Sequence, residues 1–475
     1  MLLALAALLP LSGCAVGPNY RVRPPVPAAA GSFQTGLGAD PAGAPPTRWW
    51  SLYADPALDG LVEEALQHNA DLRVAAANLE RARAVLGEER AALLPSTQLS
   101  GGATYQRNAG TGGKAKTIYS GGADLSYEVD LFGRIRRSIE AARADVAATE
   151  ATRDAVRVTV AAATAQDYVD ACLLGVRVDV ANRSLQLVSE SLAGVERQVS
   201  LGVGSSYEVS RQRVLVEQTR AAAVQLDGLR AQALYDLTTL LGRPATQVPP
   251  VALACRTAPR LTRPVPIGNG AALIARRPDI REAERILAAD TARIGVATAD
   301  LFPTITLGGN VSAAGTSIGQ ALSRSGVSFS VGPFISWFFP NIAVARARVR
   351  QASAQARASL ASFDRAVLTA LGEVQRALAA YDGEIRRNQA LSDAVASSRR
   401  AFELGQVRVR YGSISQLELL DVQRDLITSE SNLALSDATL GDDQIALFRA
   451  LGGGWQDAPA IDPAPRALAG PPTAH

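Results

Sequence analysis

The chain contains very few of the residues from which metal sites and proton-transferring active sites are usually built. Its 475 residues include 2 histidines, 3 cysteines and 1 methionine. Lysine is almost absent too, because Lys114 and Lys116 are the only two and every other basic residue is arginine. Histidine-based catalysis and metal binding therefore have almost no material. We predict that the protein is not an enzyme and binds no metal or dissociable cofactor.

Long apolar segments are also missing. After the N-terminus no run of about 18 apolar residues without a charge occurs, which excludes a bundle of membrane-spanning helices. The length alone suggests about three ordinary domains, and the mean hydropathy of +0.07 is high for a soluble protein. The formal net charge is +3, and basic and acidic residues alternate along the chain. Nucleic acid is therefore not a predicted partner.

The N-terminus resembles a bacterial lipoprotein signal. Residues 1–13 form an apolar run that ends in small residues, which predicts a secretory signal peptide. Residues 11–14 (Leu-Ser-Gly-Cys) resemble a lipobox, so we predict a covalent lipid on Cys14; an ordinary signal peptide with an incidental cysteine is the alternative. The run has no basic start, which leaves open a start codon further upstream. Ala15, rather than aspartate, follows the cysteine, a pattern that directs lipoproteins of enteric bacteria to the outer membrane.

Two further cysteines would share the exported compartment, which is oxidising. Cys172 lies in a helical segment and Cys255 in a proline-rich linker. A disulfide and two separate buried thiols are both compatible with the sequence. We expect separate thiols, because nothing in the sequence shows that these residues approach each other.

The sequence consists of two related halves. Matching residues that end helical segments recur at a nearly constant offset. The offset is 208 for Pro95 and Pro303, 208 for Gly204 and Gly412, and 210 for Gly242 and Gly452. We predict a duplicated unit of about 200 residues. The predicted divisions are an extended N-terminal segment at 14–55, repeats at 56–242 and 271–452, a linker at 243–270 and a tail at 453–475.

Two segments in each half alternate between apolar and polar residues. This pattern predicts strands over about 96–107, 117–131, 304–313 and 327–339. Pro333 predicts a local irregularity in the last strand. Strands of about ten residues with one apolar and one polar face are typical of a membrane barrel. A soluble, half-buried sheet produces the same alternation and is the alternative.

Four strands are too few to close a barrel, because about eight are needed and open edges are not tolerated in lipid. A membrane barrel would therefore be shared between chains. Two, three or four chains would supply about eight, twelve or sixteen strands. Polar inner faces favour a water-filled interior and so more than eight strands.

Long segments without proline follow each pair of strands. They span 134–201 and 341–411 and predict helices of about 100 Å each. Shorter helical segments of about half that length are predicted at 57–94, 206–241, 271–302 and 413–450. Apolar residues recur at intervals of three and four, as in Leu185, Val188 and Leu192, which predicts coiled-coil packing. A plain antiparallel coiled-coil rod is the alternative.

In this order the motifs resemble the outer membrane factors of TolC type, in particular the NodT-type lipoproteins of tripartite efflux systems. The resemblance covers nearly the whole chain and rests on residues 14–20, 49–50, 276–280 and 302–303. It implies a mainly α-helical homotrimer whose long helices form a barrel in the periplasm. It also implies a shared twelve-stranded β-barrel, with four strands per chain, in the outer membrane of a Gram-negative bacterium. The implied partners are outer-membrane lipid, a periplasmic adaptor protein and an inner-membrane RND-type pump.

By this resemblance, the turns between long and short helices are periplasmic tips that contact the adaptor. Glycine permits the tight reversal that such a turn requires. If the resemblance does not extend to this contact, the residues are turns only. The predicted contact residues are Leu201, Gly202, Val203, Gly204, Arg410, Tyr411, Gly412 and Ser413.

A candidate gate follows the second turn. Glu418 and Asp421 are three residues apart and share a helix face, so threefold symmetry would produce a ring of six carboxylates that attracts cations. The resemblance implies that Leu417 forms an apolar constriction and that Asp421 and Arg424 form polar links that keep it closed. An ordinary charged helix face is the alternative.

The predicted function is a passive exit duct of a tripartite efflux pump. Energy would come from the inner-membrane partner, because the sequence contains no ATPase motif. An exit duct of a type I protein secretion system and a coiled-coil lipoprotein spacer without a channel are the alternatives. The sequence predicts no particular exported molecule.

Overall fold

The computed structural model describes residues 15–22, 31–34, 36–107, 115–257, 259–261, 263–337, 339 and 342–461. The chain divides into two compact units. The sheet unit comprises Met1–Pro24, Asn78–Glu150 and Arg281–Arg365, and the helical unit comprises Pro25–Ala77, Ala151–Ile280 and Ala366–His475.

The elements follow the same order in each half: short helices, two strands, a very long helix and a shorter helix. The N-terminal segment adds β1 (Ala39–Asp40) and a 3-10 helix (Trp49–Tyr53). The first half contains α1 (Pro56–His68), α2 (Ala70–Ala91), β2 (Ser96–Gln106), β3 (Lys116–Val129), α3 (Arg134–Ser200) and α4 (Ser206–Leu240). The linker contains α5 (Pro250–Ala254) and β4 (Val265–Pro266), which pairs in parallel with β1. The second half contains α6 (Gly270–Arg276), α7 (Pro278–Ala299), β5 (Thr304–Gly315), α8 (Ile318–Ala321), β6 (Val327–Ser336), α9 (Ile342–Arg410) and α10 (Gln416–Leu451).

The first helical segment of each half is interrupted, although the sequence predicted continuous helices over 57–94 and 271–302. Asn69 ends α1, and its Oδ1 accepts the backbone N–H groups of Asp71 at 2.9 Å and Leu72 at 3.2 Å. This side chain therefore caps the start of α2. In the second half the break falls before Pro278, which begins α7 at a position where its missing N–H has no helical partner to lose.

The sheet unit contains one antiparallel sheet in the order β2-β3-β5-β6. Polar side chains meet across one face, where Asn310 Nδ2 donates to Asp124 Oδ1 at 2.6 Å and the Ser312 and Ser328 hydroxyls lie 2.8 Å apart. The opposite face carries exposed apolar side chains, including Leu99, Val311, Phe329 and Val331. Period-two alternation thus separates a polar face from an apolar face.

Pro333 does not disturb the register of β6, so the predicted irregularity is wrong. Pairing with β5 is regular from Ala313 opposite Val327 to Thr304 opposite Ser336, and Pro333 lies opposite Leu307. β6 has a neighbour on one side only among the described residues. An edge strand tolerates proline when the position of the missing N–H faces away from its neighbour.

The helical unit is built around helices that pack lengthwise. Among the residues with coiled-coil spacing, Val188, Ala370 and Val374 are completely buried. Near the C-terminal end of α10, Trp49 stacks on Phe448 with ring centroids 4.7 Å apart. Within the described ranges, no helix is both long enough and apolar enough to cross a membrane.

The structure joins Cys172 and Cys255 in a disulfide, with Cα atoms 4.9 Å apart. The expectation of two separate thiols is therefore wrong. The residues are 83 positions apart, and α4 lies between them. Because α4 runs back along α3, the chain after it returns to the level of Cys172, which cysteine spacing alone does not reveal.

Candidate functional site

The turn from α3 to α4 reverses the chain within five residues. The N–H groups of Gly202 and Val203 donate to the carbonyls of Val199 and Gln198, each at 3.0 Å. This pair of bonds is a Schellman ending, and it places Gly202 at a φ of 77°, where glycine avoids the Cβ penalty. The turn therefore closes the first long helix and satisfies its last carbonyls.

The turn from α9 to α10 has the same hydrogen bonds. The N–H groups of Gly412 and Ser413 donate to Val409 and Arg408, each at 2.9 Å, and Gly412 has a φ of 70°. Gly412 therefore matches Gly202, at an offset of 210, and the sequence-based match with Gly204 is wrong. Gly204 is needed for a different reason, because a Cβ there would lie 2.9 Å from Val199 Cγ2.

Each turn presents apolar side chains to solvent. Leu201 is 78% exposed, Val203 is 81% exposed and Tyr411 is 84% exposed. Tyr207, in the first turn of α4, is also exposed. All eight predicted contact residues lie in or next to these two turns. The turns thus combine a fixed backbone with exposed apolar groups, which suits contact with another protein.

The turn glycine gives a first test of this geometry. Replacing Gly412 with alanine should reduce stability by about 1 kcal/mol, because residue 412 must keep a positive φ. A Cβ at this position meets no other atom, so no steric clash adds to the loss. Gly194→Ala is the matched control inside α3, where a Cβ also meets no other atom. It should increase stability by up to about 1 kcal/mol. Thermal unfolding of the purified protein measures both, and destabilisation by both would contradict this account.

The helix after the second turn begins at a serine cap and packs on two sides. Ser415 Oγ accepts the N–H of Glu418 at 3.1 Å, which starts α10. Leu420 belongs to a buried cluster with residues of α3 and α4, and Leu419 packs with Phe402 of α9. Leu417 is half-buried against the first cluster. Only part of the Leu417 side chain is therefore available to form a constriction.

The remaining face of α10 carries three exposed carboxylates, from Glu418, Asp421 and Asp425. Asp421 Oδ1 lies 3.7 Å from Nη2 of Arg211 on α4, whereas Arg424 is half-buried on the same helix as Asp421. The structure therefore assigns Asp421 a partner that the sequence analysis missed. Arg211 and Asp421 occupy matching positions of the two halves, 210 residues apart.

Further along α10, partly buried polar side chains of α3 and α10 form an acidic layer. Gln166 Nε2 donates to Asp170 Oδ2 at 3.2 Å and also to Asp442 Oδ1. Burial, and then the charge of Asp170, raise the pKa of Asp442 to about 7, and burial also raises the pKa of Asp170. On the α4 side, burial and the charge of Asp236 raise the pKa of Asp167 to about 7. α3 therefore faces carboxyl groups from both α4 and α10.

The residues that follow Cys14 are held in the sheet unit by a buried arginine. Cys14 itself lies outside the described residues. Arg137 is 4% exposed, and its guanidinium donates to Val16 O at 3.1 Å, Gly17 O at 3.2 Å and Asn19 Oδ1 at 2.7 Å. Val16 N donates to Phe132 O at 3.2 Å, just after β3. Residues 15–20, which we call the N-terminal strap, are thus fixed beside one end of the sheet.

No catalytic or metal-binding arrangement emerges in the described part of the chain. Within those ranges, no group of three or more His, Cys, Asp or Glu side chains could hold a metal ion. The acidic layer around Asp442 is bridged by an amide and is only partly reached by solvent. The chemistry available at the turns and on α10 is apolar contact and charge.

Comparison with known proteins places these features in a family. The model of the outer membrane efflux protein family matches residues 61–243 and 271–453. The chain is 32% identical to the probable efflux pump outer membrane protein TtgC of Pseudomonas putida, over 96% of this chain and 95% of the relative. It is 29% identical to the probable outer membrane lipoprotein SilC of Salmonella typhimurium, over 96% and 98% of the two chains. The solved outer-membrane channel OprN has a TM-score of 0.85 and 35% identity, over 93% of this chain and 100% of that chain.

The fold is therefore that of an outer-membrane channel protein. The chain belongs to the outer membrane efflux protein family, and it is an outer-membrane exit duct of an efflux system. The predicted family resemblance and outer-membrane location are confirmed. The predicted fold class is confirmed at the level of a mainly helical chain with a β part.

Proposed function

We propose that three copies of the chain form a continuous passive duct that opens to the outside through a twelve-stranded barrel and is gated at the periplasmic turns. The observation that carries this proposal is the four-stranded sheet. Within the described residues, β2 and β6 each lack a neighbour on one side. Their backbone groups cannot remain unpaired in lipid.

Pairing β6 of one copy with β2 of the next would pair both edges, apart from Pro333, which has no N–H to donate. The four strands alternate in direction, because each neighbouring pair is antiparallel. The new pair would therefore be antiparallel as well. Three copies give about twelve strands, an even number as in other barrels of this kind. The polar face with Asp124 and Asn310 would line the interior, and the face with Phe329 and Val331 would meet lipid.

An exposed apolar stripe on α4 supports assembly in the helical unit. Its members recur at exact heptad spacing, and all are exposed in the single chain. A stripe of this period packs against a neighbouring helix, and a second copy of the chain is the proposed neighbour. The stripe consists of Tyr207, Val214, Ala221, Gly228 and Tyr235.

The N-terminal strap supports a lipid anchor at the end of the sheet. Ala15 lies beside Gly133, where a Cβ would be 2.6 Å from the Ala15 Cα. The acyl chains of a lipid on Cys14 would therefore emerge from the protein surface next to the last residues of β3. This position would hold the acyl chains alongside the barrel wall rather than on a free tether.

The gate is proposed at the start of α10. Asp421 and Arg211 would link α10 to α4, while Glu418 and Asp425 would place negative charge along the passage. Arg424 is the second proposed polar link, and Leu417 supplies the apolar part. A periplasmic adaptor would bind the exposed turns, and an RND-type pump would supply the energy.

Single-channel conductance in planar bilayers tests this proposal. The wild-type protein should form channels of low conductance. Two gate variants should raise the conductance several-fold: the single substitution Arg211→Ala, and the double substitution of Asp421→Ala with Arg424→Ala. Glu217→Ala is the control, because it removes an exposed carboxylate from α4 outside the proposed gate. Channels that stay at the wild-type level in the gate variants would disprove these links. A purified protein without any conductance would favour the coiled-coil spacer.

The exit duct of a type I protein secretion system shares this fold. The chain's similarity to efflux-pump components favours efflux. Copurification with an ABC exporter instead of an RND-type pump would reverse that choice.

A further inference from the structure

The part of the linker around α5 is held on α3 by little apolar contact. In α5 only Ala252 is completely buried, while Val251 is 50% exposed and Leu253 is 48% exposed. Burial of so few methyl groups provides only a weak driving force for docking. The covalent bond between Cys172 and Cys255 is the main feature that ties this segment to α3.

The polar contacts of the linker do not make docking much more favourable. Arg230 of α4 donates to Leu253 O at 2.6 Å and to Ala171 O at 3.3 Å, and in the described part of the chain it forms no ion pair. Burial, and then the charge of Arg256 in the linker, lower the pKa of Arg230. Docking therefore removes one arginine from water and brings a second one towards it, which opposes the contact, and the charges of Asp179 and Asp227 offset only part of this cost.

The linker nevertheless lies very close to α3. A Cβ on Gly175 would lie 2.9 Å from Cys255 O and 3.1 Å from Arg256 Nη1. Glycine at this position leaves the space that the linker backbone occupies. The close approach and the weak noncovalent contact together require another source of stability.

We propose that Cys172 and Cys255 are a site of enzymatic oxidation, at which a periplasmic protein carrying a reactive disulfide installs the bond that holds the linker on α3. The oxidising compartment follows from the outer-membrane location of the chain. The inference goes beyond the duct function and does not depend on the number of copies or on the gate.

The reaction is a two-step thiol–disulfide exchange. The Cys255 thiolate attacks one sulfur of the oxidant's disulfide, forms a mixed disulfide and releases one oxidant thiolate. The Cys172 thiolate then attacks the Cys255 sulfur, forms the internal bond and releases the second oxidant thiolate. Two electrons pass to the oxidant, which takes up the two protons lost by the cysteines and leaves as a dithiol.

Burial sets the order of events. Cys172 is completely buried in the folded chain, whereas Cys255 is partly exposed. The bond must therefore form before the linker packs, with Cys255 as the first thiol to react. After folding, a reductant that attacks Cys255 would have to expel the buried Cys172 as a thiolate. Reductants also have little access to the completely buried Cys172 sulfur, so the bond should persist.

The test uses the full chain purified from cells that contain or lack their periplasmic thiol oxidant. A polyethylene glycol maleimide added after denaturation counts the free thiols by gel shift, and hydrogen exchange follows the amides of residues 250–257. Wild-type protein from oxidant-containing cells should show no free thiol at these two positions, and protein from deficient cells should show two. The linker amides should exchange about tenfold faster in the reduced protein.

Cys172→Ser combined with Cys255→Ser is the matched control. Its linker should exchange at the faster rate in both kinds of cell, since no bond can form. Two free thiols in wild-type protein from oxidant-containing cells would overturn the proposal. Equal oxidation in both kinds of cell would show that no protein oxidant is needed, and equal linker exchange with and without the bond would show that the bond does not hold the linker.

Discussion

Replacing Asp442 with asparagine is expected to stabilise the protein at pH 8 and to change its stability much less at pH 4. The Asp442 carboxyl is partly buried next to Asp170, and its pKa is about 7, against an ordinary value near 3.8. At pH 8 the folded wild-type protein must keep a charge there. Asparagine keeps an acceptor for Gln166 and adds a donor for Asp170 without that charge. We expect a gain of about 2 kcal/mol at pH 8, after allowance for the solvent that reaches this carboxyl.

The sign follows from linkage between protonation and folding. Below about pH 4 the carboxyl is protonated in both the folded and the unfolded chain, so its raised pKa has no effect on stability. Between about pH 4 and pH 7 the unfolded chain releases this proton and the folded chain retains it, so wild-type stability falls as the pH rises. Above about pH 7 the full loss is present. The difference between variant and wild type should therefore grow across this window and then level off.

Thermal unfolding between pH 4 and pH 9 measures this difference. Asp425→Asn is the control, because it makes the same change on the exposed face of α10. It should produce no comparable rise with pH. If Asp442→Asn unfolds at or below the wild-type temperature at pH 8, the charge at this position is not unfavourable and the raised pKa of Asp442 is contradicted.

Replacing Arg137 with alanine is expected to destabilise the sheet unit by about 2 kcal/mol and to release the N-terminal strap. The guanidinium is buried and donates to three acceptors of the strap: Val16 O, Gly17 O and Asn19 Oδ1. Alanine would leave these acceptors without a protein donor, and they belong to residues that are exposed or half-buried. The amide of Val16, which donates to Phe132 O, should then lose its protection from hydrogen exchange.

Two variants separate the geometry of Arg137 from its charge. Arg137→Lys keeps the charge, but a single ammonium group cannot reproduce the several N–H donors of the planar guanidinium. The Val16 amide of the strap should therefore still exchange hydrogen faster than in the wild-type protein. Arg143→Ala removes an exposed arginine from the same helix and should have almost no effect. Protection of the strap in Arg137→Ala would mean that other contacts hold it.

The strands illustrate what local pattern can predict. A strand was predicted over about 96–107, and β2 runs Ser96–Gln106; one was predicted over about 304–313, and β5 runs Thr304–Gly315. Alternation at period two is a property of neighbouring residues, so no knowledge of distant parts of the chain is needed. The effect of Pro333 was misjudged because it depends on which side of β6 has a neighbour.

Two of the misses concern residues distant in sequence. The disulfide between Cys172 and Cys255 and the pair between Arg211 and Asp421 both depend on α4 folding back along α3. Heptad spacing indicates that a helix has an apolar face, but it does not indicate which helix covers that face. The match of Gly412 with Gly204 failed for a simpler reason, since both Gly202 and Gly204 occur in the first turn and backbone conformation distinguishes them.

The long helices of the two halves differ by two residues, since α3 has 67 and α9 has 69. This difference explains why the offset is 208 at the strands and 210 at the turns. Two extra helical residues correspond to a rotation of about 200° and a rise of about 3 Å. The halves therefore cannot be interchanged along their whole length.

In a trimer, this mismatch would reduce an apparent sixfold ring of turns to true threefold symmetry. Leu201 and Val203 mark one kind of turn and Tyr411 marks the other, and the two kinds would alternate around the ring. A partner with six identical docking surfaces could match only every second turn. The complex would then contain either three copies of the partner or six copies that bind in two different ways.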